Sequence, residues 1–448
     1  MKLISRTLTH YIILIGAVLL SGCKDVSVPS GNVEEADAIP ALIPDYTSVV
    51  IPPNIAPLNF EIDTPGDEYV TKVTGAGGKS LIEAGKTVRW DIKQWHELLE
   101  ASRGKDLKYE IYVRSGGSWK LYRFTNHVAE EPIDTHLSYR LIEPSYQQFS
   151  GMSINMRDLT TFDEEVVYSS PNPCDERRGQ CVNCHVPRNQ YGDRSSQFHV
   201  RKAKGGTVVM AGDSVVKVNL KTDSTISAGV YPAWHPSLDL IAYSTNDTKQ
   251  QFFRGSGKRK VEVFDTESDL ILYNMKTHEV SDIASDPDLL ETFPCWSPDG
   301  RKIYYSVARY PEGVTPENIG EHYECIRYDI VSRDYDHASG LFAAPDTVVF
   351  ASADSVSALL PRISPDGKYL LYCMAPFGTF HIWHKDSDLY MMDLKSGDTR
   401  RLAAASSDDT ESYHSWASNS RWIVFSSRRD DGTYTRPYIA YISKDGSD

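Results

Sequence analysis

Apolar and polar residues alternate with a period of two along most of this chain, which predicts strands with one wet face. In the first third, 58–62, 87–92, 109–113 and 119–124 alternate in this way. Between the second and third of these, 94–99 places Trp95, Leu98 and Leu99 on one side of a short helix. Residues 47–136 are therefore expected to form a small Ig-like β-sandwich domain, or to lend a strand to the C-terminal domain.

From about residue 225 onward the alternation repeats in units. Tyr231-Pro232-Ala233-Trp234-His235-Pro236, Phe293-Pro294-Cys295-Trp296-Ser297-Pro298-Asp299-Gly300 and Leu360-Pro361-Arg362-Ile363-Ser364-Pro365-Asp366-Gly367 are clear copies, and 413–420 is a worn one. Each copy is followed by a β run: 240–244, 302–306, 369–373 and 422–426. The apolar anchor ends one strand, Ser-Pro-Asp-Gly makes the turn, and the next strand runs back. Third strands recur at 269–274 and 388–394. Four strands per unit, repeated radially, predict an all-β fold, a β-propeller of about six blades over 137–448. Seven blades is the alternative, and 137–224 is expected to supply one or two of them.

The chemistry-bearing stretch is Cys181-Val182-Asn183-Cys184-His185. Two thiols three positions apart can each bond a vinyl group of a porphyrin, and the histidine after the second can sit beneath the iron. Cys181, Cys184 and His185 are thus candidate ligands of one covalent c-type haem, with His185 on the metal. Zinc is the alternative, but the nearest extra thiol, Cys174, gives an irregular spacing for it. The motif is expected on an insertion around 171–200. A second axial ligand would come from His199, or from Met152, Met156 or Met210.

The N-terminus carries Lys2 and Arg6, then an apolar run over 11–20 too short for a good membrane span, and ends in Leu20-Ser21-Gly22-Cys23. Residues 1–22 read as a lipoprotein signal peptide, with Cys23 lipidated as the mature N-terminus. Residues 23–46, rich in Ser, Pro, Asp and Glu, read as a flexible tether. The partner implied is a membrane, through the lipid anchor, in the outer membrane of a Gram-negative envelope. A formal charge of −14 without a basic stripe argues against nucleic acid. Cys325 and Cys373 fall in strand-like runs and are expected as buried thiols.

The repeats and their Ser-Pro-Asp-Gly hairpins resemble the TolB-like, WD-type propellers of bacterial envelope proteins. The run from 155–159 through the CxxCH to Phe198-His199-Val200-Arg201, with 382–386 and 434–438, is similar to envelope lipoproteins that combine such a propeller with a CxxCH. That resemblance implies a cytochrome-c-like protein serving electron transfer or haem-dependent sensing, with a protein or redox partner at the propeller face. The alternative is an interaction scaffold whose CxxCH is structural. His381, Trp383, His384, His414 and Trp416 have two readings: they line a rim funnel with Arg428, Arg429 and Arg436, suited to an anionic ligand or partner peptide, or the aromatics are blade packing and the polar residues solvated loops. No catalytic motif is present: Gly78-Lys79-Ser80 lacks the first P-loop glycine, Val73 standing there, and no G-x-S-x-G occurs.

Overall fold

The computed structural model describes residues 26–142, 152–170, 180–191, 195–202, 204–253 and 261–447. Among the described residues six blades follow one another from His136 to Tyr441. Blade 1 has strands His136–Leu141, Ser153–Asp158 and Glu164–Ser169. Blade 2 has Gln180–Pro187, Ser196–Lys202, Gly206–Ala211 and Ser214–Val218. Blade 3 has Val230–Trp234, Leu240–Phe252, Val261–Asn274 and Val280–Ala284. Blade 4 has Leu289–Trp296, Lys302–Arg309, Asp329–Asp336 and Asp346–Val349. Blade 5 has Ser357–Ile363, Tyr369–Ala375, Asp388–Asp393 and Thr399–Arg401. Blade 6 has Glu411–Trp416, Trp422–Ser427 and Arg436–Tyr441. From each blade to the next the innermost strands touch, and Arg140 of blade 1 comes within electrostatic reach of Tyr413 of blade 6, closing the ring.

The turns form as their residues dictate. Ser297 Oγ donates to Asp299 at 2.6 Å and accepts from the Lys302 amide at 3.0 Å, while Gly300 takes φ 69°. Ser364, Asp366 and Gly367 (φ 72°) repeat the pattern in blade 5. Glycine is favoured there because the left-handed region is costly for other residues, although Ser420 takes it at φ 60° in the worn copy.

One device recurs that the repeat pattern only half reveals. The inner strands of blades 2 to 6 all carry a register shift at the same place, after Asn183, Val230, Thr292, Leu359 and Ser412. The next residue is left-handed each time: Cys184 (φ 52°), Tyr231 (48°), Phe293 (56°), Leu360 (57°) and Tyr413 (46°). A β-bulge places an extra residue in the strand and re-aims its side chain. The backbone strain at a non-glycine residue, roughly 1–2 kcal/mol each, is offset by the surrounding ladder.

This corrects the expected insertion over 171–200. Gln180–Pro187 and Ser196–Lys202 are the first two strands of blade 2, and the CxxCH is that blade's axial bulge. Cys184-His185 stands where other blades have Tyr-Pro, Phe-Pro, Leu-Pro and Tyr-His. Cys174 lies outside the described residues.

Ahead of the propeller, two sheets and a helix share one core. The larger sheet comprises Val33–Glu35, Val50–Ile51, Glu68–Thr74, Ser80–Ala84, Lys105–Ser115 and Ser118–Val128; the smaller comprises Leu42–Ile43, Phe60–Ile62 and Thr87–Val88. The helix Ile92–Ala101, capped by Asp91 at 2.9 Å, buries Trp95, Leu98 and Leu99 as its spacing requires. The larger sheet is antiparallel except where the two N-terminal strands, Val33–Glu35 and Val50–Ile51, run parallel to the unit's last strand, Ser118–Val128, and the two sheets make the expected small β-sandwich. The tether also shortens: Val33–Glu35 pairs with Trp119–Leu121, and Leu42 is buried in the core. Exposed Glu34 and Glu35 on an edge strand gave that segment its tether-like composition. Among the described residues the unit lends no strand to a blade. It docks on blade 6, where Trp422 joins its core and donates to the Glu131 carbonyl at 2.9 Å.

Candidate functional site

Blade 2 holds the CxxCH between its two neighbours. His185 Nδ1 meets Ser138 Oγ of blade 1 at 2.9 Å. The Val186 carbonyl accepts from Trp234 Nε1 of blade 3 at 3.0 Å, and Asn189 donates to the Pro236 carbonyl at 3.0 Å. Burial, reinforced by Arg140, lowers the His185 pKa to about 4, so the ring is neutral at physiological pH. A neutral imidazole with Nδ1 anchored and Nε2 making no hydrogen bond among the described residues is the form in which histidine binds a metal. Cys181 and Cys184 are both free thiols, and burial raises the Cys184 pKa.

His199 is placed elsewhere. It stands opposite Asn183 in the ladder, at the position filled by Ser244, Ser306, Cys373 and Ser426 in the other blades. Its Nδ1 faces the Gly229 carbonyl of blade 3 at 3.3 Å, and its Nε2 accepts from Arg201 Nε at 2.7 Å. Burial first, then Arg201, lowers its pKa to about 4. His185 thus faces blade 1 and His199 faces blade 3, and both nitrogens of His199 are engaged. The two rings do not converge. Met152 is buried in a blade 1–blade 2 cluster with Val182 and Phe198, and Met210 packs partly against it. Met156 is half-buried in Ser153–Asp158.

The residues present fit a covalent haem in part. Two free thiols and an imidazole with an available nitrogen sit on one bulged segment at the axis, and Arg140 and Arg201 both reach Cys184 electrostatically. His199 does not fit as a second ligand in this arrangement. For zinc, no group of three or more His, Cys, Asp or Glu able to hold a metal ion occurs among the described residues.

For the rim residues the packing reading agrees with the structure and the funnel does not. His381, His384 and His414 are buried. His384 meets both oxygens of Glu262 at 3.1 Å, and His414 Nε2 the Leu371 carbonyl at 3.2 Å. Arg428 lies 4.8 Å over Trp383, Arg429 pairs with buried Glu411 at 3.0 Å, and Arg436 pairs with Asp430 and Asp431. These arginines are spent on packing and pairing, so they offer no anion-binding rim. Cys325 is exposed in the turn Tyr323–Cys325, whereas Cys373 is buried in its strand.

Sequence reasoning missed Ser138, Arg140, Tyr231 and Tyr413 around the motif. The two tyrosines were findable, since each opens a repeat copy at the bulge position. Ser138 and Arg140 carry no sequence signal.

Fold and site together define an all-β protein, a six-bladed propeller behind an N-terminal β unit, with a thiol–imidazole set at its axis. No protein-family model matches the chain, and no curated protein matches it. Among solved structures, the tricorn protease aligns over 76% of this chain and 34% of its own, at 8% identity and a TM-score of 0.35. Prolyl oligopeptidase B from Galerina marginata aligns over 87% and 53%, at 10% identity and 0.39. A nidogen/laminin complex aligns over 69% and 98%, at 8% identity and 0.39. The chain thus spans about a third of the tricorn protease and about half of the oligopeptidase. At these scores the likeness carries nothing about activity.

Proposed function

We propose that this chain is a TolB-like envelope lipoprotein carrying one covalent c-type haem through Cys181, Cys184 and His185, for electron transfer or haem-dependent sensing. The observation that carries the reading is His185: neutral, pinned by Ser138 through Nδ1, with Nε2 left over, directly after two unpaired thiols. Bound haem would supply one-electron chemistry at its iron. The chain's own part is to hold the imidazole neutral and oriented, and to present Cys184 at the bulge with Cys181 in the ladder just before it. The lipid anchor at Cys23, outside the described residues, belongs to the same reading. No helix among the described residues is long and apolar enough to cross a membrane.

The test is expression with a cytochrome c maturation system, followed by a haem-stained denaturing gel. Stain is expected in the wild type and absent from Cys181→Ser/Cys184→Ser, because thioether bonds survive denaturation. Cys23→Ala should leave the membrane fraction. A folded wild type without haem mass favours the second reading, an interaction scaffold. That reading draws on the four other blades, which form the same bulge with no CxxCH.

A further inference from the structure

Around the Cys184 bulge stand two guanidinium groups with no acidic partner among the described residues. Arg140 lies two positions beyond Ser138 on one strand, so it shares the face that touches His185. It also lies within electrostatic reach of Tyr413 and Cys184. Arg201 stands opposite Cys181 in the blade 2 ladder and is exposed. Its Nε is given to His199, which leaves its two terminal amino groups, and its charge reaches Cys184 and Tyr231. Tyr231 is half-buried and Tyr413 exposed, and their phenol hydroxyls, protonated at neutral pH, are able to donate. The nearby carboxylate, Asp265, is buried and already accepts from Thr248 at 2.6 Å and Asn246 at 2.8 Å. The axial end is therefore a place with positive charge and hydroxyl donors in excess of acceptors.

We propose that this end of the axis is a carboxylate-binding site, with Arg140 and Arg201 as its cationic jaws and Tyr231 and Tyr413 as neutral donors. A guanidinium suits a carboxylate because its fork can make two parallel, charge-assisted bonds. The carboxylates have two possible sources. They are the propionates of a tetrapyrrole, which rests on the haem reading above, or those of a free dicarboxylic acid, which does not.

The full chain made without maturation machinery is titrated with metal-free protoporphyrin IX by fluorescence, with its dimethyl ester, and with succinate and citrate by calorimetry. The free acid should bind about tenfold or more tighter than the ester, and Arg140→Gln and Arg201→Gln should each weaken it about tenfold without changing ester binding. Arg140 has no hydrogen bond to lose among the described residues, so its variant should keep the wild-type melting midpoint; Arg436→Gln, remote and paired, is the control. Equal binding of acid and ester, or indifference to both arginine changes, overturns the proposal. Arginine-dependent binding of succinate or citrate without porphyrin binding supports the site and assigns it to a free acid. A positive haem stain with indifferent arginine variants overturns this site alone. A negative stain with arginine-dependent binding removes the haem reading and leaves the site.

Discussion

Trp422→Ala probes how the N-terminal unit and the propeller are joined. Trp422 opens the second strand of blade 6, yet its ring is fully buried in the core of the N-terminal unit. There it lies 5.0 Å from Tyr441 and donates to the Glu131 carbonyl. Removing a buried indole costs about 3–5 kcal/mol, because a cavity replaces its contacts. Trp422→Phe keeps an aromatic plug and deletes only the donor, a loss of about 1 kcal/mol. The other apolar groups that the propeller packs against this core, Leu159, Ala417, Ile439 and Tyr441, are only partly buried, and links such as Ser418 to Asp134 at 2.7 Å and Lys444 to Glu131 at 3.2 Å are polar and exposed, so they offset only a small part of the loss. Urea unfolding followed by circular dichroism should show the Ala variant losing several-fold more stability than the Phe variant. Limited proteolysis should then cut near Glu131 and Pro132 in the Ala variant alone. A loss below about 1 kcal/mol for Trp422→Ala, or equal losses for both variants, refutes the bridging role.

Burial governs two further outcomes. In haem-free native protein, iodoacetamide should modify exposed Cys325 before Cys184, and Cys373, whose thiol burial pushes up to about 12, only on unfolding; peptide mass spectrometry showing Cys373 modified first would contradict the packing. Glu291, 3% exposed, has its carboxyl raised to about 7 mainly by burial, from an ordinary 4.5. Its protonated form favours folding, so that contribution is full below pH 4.5 and fades as pH rises through 7. Glu291→Gln should therefore gain on the wild type over this window, by up to about 3 kcal/mol at pH 8, in denaturant titrations at pH 5 and pH 8. A pH-independent difference would count against the buried carboxyl.

Much of the architecture is legible because it is local. The Ser-Pro-Asp-Gly turns need only their own four residues, and the helix at Ile92–Ala101 needs only its apolar spacing and the Asp91 cap. The motif's place in the fold was hidden for the opposite reason. Cys184-His185 shares no side chain with Tyr231-Pro232 or Leu360-Pro361, so the shared bulge shows only in the ladder to the neighbouring strand. The strand Val33–Glu35 was hidden likewise, because its partner lies at Trp119–Leu121, far along the chain.

By itself, then, the amino-acid sequence determined the all-β class, the repeat, its turns, and the order of two thiols and an imidazole, each a matter of residues close together in the chain. Only the tertiary structure decided which face of blade 2 each ring takes. A strand alternates its side chains, and the bulge after Asn183 breaks that alternation. His185 is thereby turned to Ser138 of blade 1, while His199, beyond the hairpin, keeps to blade 3 and is held by Arg201.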